Sequence, residues 1–148
     1  MIPDKVEVNI AGGLDFPLPP MARVRQKFDA ARLGDIPGAI HKEFARPEIR
    51  ERVKPGQVVA VGCGSRGIAN IAQIVCSVIA ELKALGVKPF IFPCMGSHGA
   101  ATAEGQKKVL ETYGITEAAT GVPIRATMET VIVGHLADGT PVHMDRYA

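Results

Sequence analysis

No sign of charge dominates this sequence. Its 148 residues carry 17 Lys plus Arg against 15 Asp plus Glu, a formal net charge of +2, whereas a nucleic-acid domain needs a clustered basic excess to hold phosphates. Aromatic residues are scarce at 5% and tryptophan is absent, which leaves little material for stacking bases. Only three cysteines occur, Cys63, Cys76 and Cys94, an odd number without framework spacing, so a reducing cytoplasm is the expected compartment. A long uninterrupted apolar run is also missing. The longest candidate, Ile68 to Leu85, is broken by Asn70, Gln73, Ser77, Glu81 and Lys83, a poor membrane span, and Met1-Ile2-Pro3-Asp4-Lys5 does not begin a signal peptide. What is present is apolar material: a 47% hydrophobic fraction excludes bulk disorder. A chain of this length hides roughly 70% of its unfolded surface in one domain.

The punctuation of the chain gives its organisation. Gly12-Gly13 with Pro17, Pro19 and Pro20 mark residues 1–20 as an irregular arm, with a short strand at Val6–Ile10. Met21–Phe28 alternates Ala22, Val24 and Gln26 against basic residues, a weak strand pattern. Asp35-Ile36-Pro37 opens a helix, with Asp35 as N-cap and Pro37 in the first turn, running through Phe44 and ending near Arg46-Pro47. A second short helix covers Glu48–Val53. Gln57–Val61 is continuously apolar, as in a strand covered on both faces. A glycine-rich turn at Gly62–Gly67 follows, then apolar residues at helical spacing over Ile68–Leu85, closed by Gly86. Val87–Cys94 is a second strand and Met95–Ala101 a second glycine-rich loop. Thr102 caps a helix that reaches Tyr113. Strand, helix, strand, helix implies a parallel pair with a right-handed crossover. Met128–His135, Asp138-Gly139 and Pro141–Met144 read as an edge hairpin finishing the sheet. The expected fold is therefore α/β: a three-layer, parallel-core sheet with flanking helices and a C-terminal edge hairpin. The chain ends at Asp145-Arg146-Tyr147-Ala148 without a helical cap or polar tail, as a fragment of a longer chain would.

Chemistry is expected in the two loops that echo each other 32 residues apart, Gly64-Ser65-Arg66-Gly67 and Gly96-Ser97-His98-Gly99. Both follow a strand and precede a helix, which puts them at the carboxyl ends of parallel strands, where open α/β sheets bind ligands. Gly64, Ser65, Gly96 and Ser97 let the backbone approach an anion near a helix start. Arg66 can grip a carboxylate with two parallel hydrogen bonds, and a histidine such as His98 can take or give a proton. Two tight turns would have the same composition, and neither loop matches the nucleotide-binding glycine patterns. Cys63, Cys94 and His98 could gather around a soft metal, but paired local ligands are lacking, so no metal site is expected and the cysteines, Cys76 included, read as core side chains. His41, His135 and His143 read as structural or solvated.

At these loops the chain resembles the N-terminal domain of the nickel-pincer lactate racemase family, from about Met21 to the end and most strongly over Val58–Gly114. The family's loops read Asp-His-Thr-Arg-Pro and Gly-Phe-His before a Glu-rich helix. Here they read Cys63-Gly64-Ser65-Arg66-Gly67 and Gly96-Ser97-His98, with Thr102-Ala103-Glu104 after. The resemblance implies that Arg66 binds the substrate carboxylate and His98 works as acid and base on the substrate hydroxyl. Cys63 replaces the family's Asp and Gly64 its following His, so the acid need not be lactate. The resemblance further implies a longer parent protein whose C-terminal domain is this domain's partner. In that parent a nickel-pincer nucleotide takes up a hydride from a 2-hydroxy acid. The family's tethering lysine, nickel-ligand histidine and second catalytic histidine lie beyond the matched region, so this chain alone is expected to racemise nothing. Two other readings compete with it: a non-catalytic module that binds a small carboxylate or other anion in the same loops, and an assembly domain that uses the N-terminal arm. None of them involves a nucleic acid or a membrane.

Overall fold

The computed structural model describes residues 20–29 and 31–148. The chain divides between Arg32 and Leu33, beyond the arm expected to end at residue 20. The strand expected at Val6–Ile10 lies outside the described residues. Residues 20–29 have no regular structure and are exposed, which corrects the strand expected at Met21–Phe28. Its alternation rests on Ala22, Val24 and a polar Gln26, too little apolar surface to hold a strand.

Within Leu33–Ala148, α1 (Ile36–Phe44) starts as its cap predicts: Asp35 accepts a hydrogen bond from the Gly38 amide at 2.9 Å. The short α2 (Pro47–Arg50) begins on a proline that needs no amide partner there. The crossover follows. Strand β1 (Val58–Cys63) and strand β2 (Lys88–Pro93) pair in parallel, Val61 opposite Ile91 and Cys63 opposite Pro93, and α3 (Ile71–Ala84) connects them. Helix α3 starts three residues later than its apolar pattern because Asn70 stands in the left-handed region at φ 57°, which asparagine tolerates better than most. Val75, Ile79 and Leu82 form its buried stripe.

The core is one cluster: Cys63, Val75, Ile79, Ile91, Met95, Leu110, Ile115, Val122 and Ile124. Burial of each of its larger side chains contributes about 1.5–3 kcal/mol. Helix α4 (Ala103–Thr112) supplies Leu110, and α5 (Glu117–Thr120) leads into residues 122–125. These residues run beside β2: the Ile91 amide donates to the Pro123 carbonyl and the Arg125 amide to the Ile91 carbonyl. Neither α5 nor this extended segment was expected.

Strands β3 (Thr130–His135) and β4 (Pro141–Asp145) form the antiparallel hairpin, with a register shift between Ile132 and Gly134. It is a separate two-stranded sheet, not an edge of the parallel one. The reason is visible at β2, whose far side is occupied by Ile124. Arg125 closes part of the opposite face, its guanidinium 4.6 Å from the Phe90 ring and 5.8 Å from Tyr147. The fold is thus mixed helix and strand with a small parallel sheet and a hairpin. Val58, Ala60 and Gly62 of β1 are exposed, so β1 is covered on one face and not on two. Among the described residues, no helix is long and apolar enough to cross a membrane.

Candidate functional site

The parallel pairing continues one step past β2, where the Cys94 amide donates to the Cys63 carbonyl at 2.7 Å. That bond launches both glycine loops from the same end of the sheet. Ser65 and Arg66 of the first loop both reach His98 of the second: the Ser65 hydroxyl meets Nδ1 and the Arg66 guanidinium meets Nε2. Ser65 is buried, His98 half-buried and Arg66 exposed. A guanidinium only donates, so in this contact Nε2 is the acceptor, and Nδ1 bonds the Ser65 hydroxyl. Together the two contacts fix the orientation of the His98 ring.

The second loop is fixed from behind by α4. Thr102 Oγ1 accepts from the Gly105 amide at 3.0 Å and donates to the Gly99 carbonyl at 3.1 Å, while the Gln106 amide group donates to the Gly96 carbonyl at 2.7 Å. The backbone is unusual there. Gly96 and Gly99 lie at φ 58° and 62°, and Ala100 and Ala101 follow at 57° and 52°. Each non-glycine residue in that region stores about 1–3 kcal/mol, which Gly99 and Gly105 hold in place through backbone packing too close for any Cβ. Ser97 and Gly96 are exposed on this loop, and Gly64 is half-buried on the first.

The cysteines separate. Cys63 is buried in the core, Cys76 is half-buried, and Cys94 is exposed, contrary to the expectation of three core side chains. The parallel register explains it: Cys63 turns toward α3, while Cys94 lies against Gly62 on the other face, where an added Cβ would stand 2.9 Å from its sulfur. Burial, reinforced by Cys94, pushes the Cys63 thiol from its ordinary 9.0 up to about 11. Partial desolvation and then Asp145 raise Cys94. Protonated thiols are weak ligands, and no three His, Cys, Asp or Glu side chains gather as a metal site among the described residues. The remaining histidines are peripheral: His41 bonds Glu81 at 3.0 Å and His143 bonds Thr130 at 3.0 Å, while His135 is exposed.

Gln106, Gly105 and Ser65's contact with His98 were not foreseen as parts of one site. A signal existed for Gly105, since glycine in a helical turn is costly unless something needs the space. Beside the second loop a cavity of about 480 Å³ opens between β2 and the hairpin. The chain matches no protein-family model, no curated protein and no solved structure.

Proposed function

We propose that the Ser65, Arg66 and His98 rim binds the carboxylate of a 2-hydroxy acid and moves its hydroxyl proton, as the substrate-binding domain of a cytoplasmic racemase or epimerase. The contact between Arg66 and His98 is the observation that supports this most. An incoming carboxylate offers the guanidinium two charge-assisted bonds in place of its single contact with the ring. Once Arg66 turns to it, Nε2 is released as a free acceptor beside the bound acid, so binding and base activation are one event. Ser65 keeps the ring oriented through Nδ1. Proton transfer of this kind contributes on the order of 10²–10⁴ in rate. Gly64, Gly96 and Ser97 leave room for the acid at the backbone.

The nickel-pincer nucleotide belongs to the same proposal only through the parent protein, where it would supply hydride chemistry when bound. The described residues do not fit a metal centre, because no ligand cluster gathers and both His98 nitrogens are engaged. The chemistry proposed for this chain is confined to carboxylate binding and proton transfer. A C-terminal domain of the parent protein is proposed to supply the third layer, over Val58, Ala60 and Gly62.

A non-catalytic anion module is favoured by one fact, that His98 has no free nitrogen until Arg66 moves. Nitrogen NMR of the His98 ring during titration with lactate and with acetate separates the two. Both acids are expected to shift the Nε2 resonance as Arg66 leaves it, and the racemase reading expects a further change with lactate alone, because only lactate brings a hydroxyl to the freed nitrogen. Equal responses leave the anion module, and no response to either acid removes both.

A further inference from the structure

We propose that the cavity beside the second loop receives the side chain of the bound acid, so that the substrates are 2-hydroxy acids with a bulky, uncharged apolar substituent. This rests on Arg66 holding the carboxylate. Cys94, Met95 and Gly96 line the cavity and lead directly to His98, so wall and rim are built from one continuous piece of chain. Phe92 forms the wall on β2, and Met128 and Met144 flank it from the hairpin side.

Size and polarity define the ligand. A cavity of roughly 150 Å³ already admits benzene, and this one holds about 480 Å³, within the range of small-molecule sites. The methyl group of lactate would leave most of it unfilled. Thioethers adapt to flat and branched apolar groups alike, which suits aryl or branched alkyl substituents. Asp145 sets the exclusion. It stands in the wall, accepts from the Tyr147 amide at 2.7 Å and pairs with no cation among the described residues. A second carboxylate on the ligand would face it, so dicarboxylic 2-hydroxy acids are rejected by like charge.

Three of the chain's five methionines, Met95, Met128 and Met144, line the cavity, and their methyl groups serve as reporters. The full chain labelled with methyl-¹³C methionine is titrated with 3-phenyllactate, lactate and 2-hydroxyglutarate. Phenyllactate is expected to move these three methyl signals, leave Met21 still, and bind at least tenfold more tightly than lactate, with 2-hydroxyglutarate no tighter than lactate. Met144→Trp, which adds bulk to the cavity lining, should reduce phenyllactate to the affinity of lactate without changing lactate itself. Arg66→Ala separates this proposal from the reading beneath it. If the methyl shifts and affinity for phenyllactate survive that change, the cavity binds the apolar group and the carboxylate assignment fails. If both acids bind equally, depend on Arg66 and leave the three methionines unmoved, the cavity proposal is overturned and the anion site stands. Absence of binding by all three acids overturns both.

Discussion

A Cβ placed on Gly105 would lie 1.9 Å from the Gly99 carbonyl oxygen, and one placed on Gly99 would lie 2.3 Å from the Gly105 carbonyl carbon. The loop that carries His98 is therefore seated backbone on backbone against the first turn of α4. Helix propensity alone would make Gly105→Ala stabilising by about 0.8–1 kcal/mol. The contact is with main chain, which cannot swing aside, and overpacking of this kind costs about 1–3 kcal/mol or more. Gly105→Ala is expected to destabilise, lowering the thermal midpoint by several degrees. Gly64→Ala is the control: nothing lies within 4 Å of its would-be Cβ, and stability should stay within about 0.5 kcal/mol.

The proton transfer proposed for His98 yields a kinetic expectation in the proposed parent protein. His98→Asn keeps a hydrogen-bonding edge but no titrating ring, so turnover should fall at least tenfold while the melting temperature moves little. Arg66→Lys keeps the charge and loses the two-pronged grip, so KM should rise more than kcat falls. Steady-state kinetics at saturating and limiting substrate read both. Unchanged turnover in His98→Asn would reduce the loop to a turn.

Cys63 makes stability sensitive to alkaline pH. Its folded-state value of about 11 exceeds the ordinary 9.0, so between these limits the unfolded chain has released a proton that the native chain retains. Stability therefore falls as pH rises through that window, by an amount on the order of 2 kcal/mol, and is unaffected by this group below it. Urea unfolding at pH 8 and at pH 11 measures the drop. Cys63→Ala should flatten it, at the cost of a uniformly lower stability from the small cavity it leaves.

Asp35 tests the N-terminal edge of the compact unit. Asp35→Ala removes the acceptor for the Gly38 amide, and loss of such a cap costs about 1 kcal/mol. Equilibrium denaturation should show that loss, and Asp35→Asn should restore most of it.

Local chemistry made the elements legible. Asp35 and Thr102 cap as their positions suggest, Gly86 and Gly114 adopt positive φ at helix ends, and Asp138-Gly139 turns the hairpin. The two loops that seemed paired in sequence meet at His98, because the strands that carry them are parallel neighbours. Tertiary choices were less visible. The apolar residues Val131, Ile132 and Val133 suggested an edge of the main sheet, but Ile124 takes that place, and a short segment after α5 gave no periodicity long enough to reveal it. The apolar run in β1 looked doubly covered, yet Val58 is 62% exposed. Strand composition reports what a face can bury, not what arrives to bury it. The cavity wall joins Phe92 to Met144, residues too distant in sequence for any local pattern to connect.

The parallel register has a kinetic consequence. Every partner pair between β1 and β2 is separated by thirty positions in the chain, from Val58 with Lys88 to Cys63 with Pro93, whereas the hairpin joins neighbours across a short turn. Hairpins close in about 1–10 μs, while pairing of distant strands waits for the intervening loop to be ordered. On this topology refolding is expected to be limited by the arrival of β2 beside β1, measurable by stopped-flow refolding. The rim of Ser65, Arg66 and His98 needs both strand ends, so it is expected to form late.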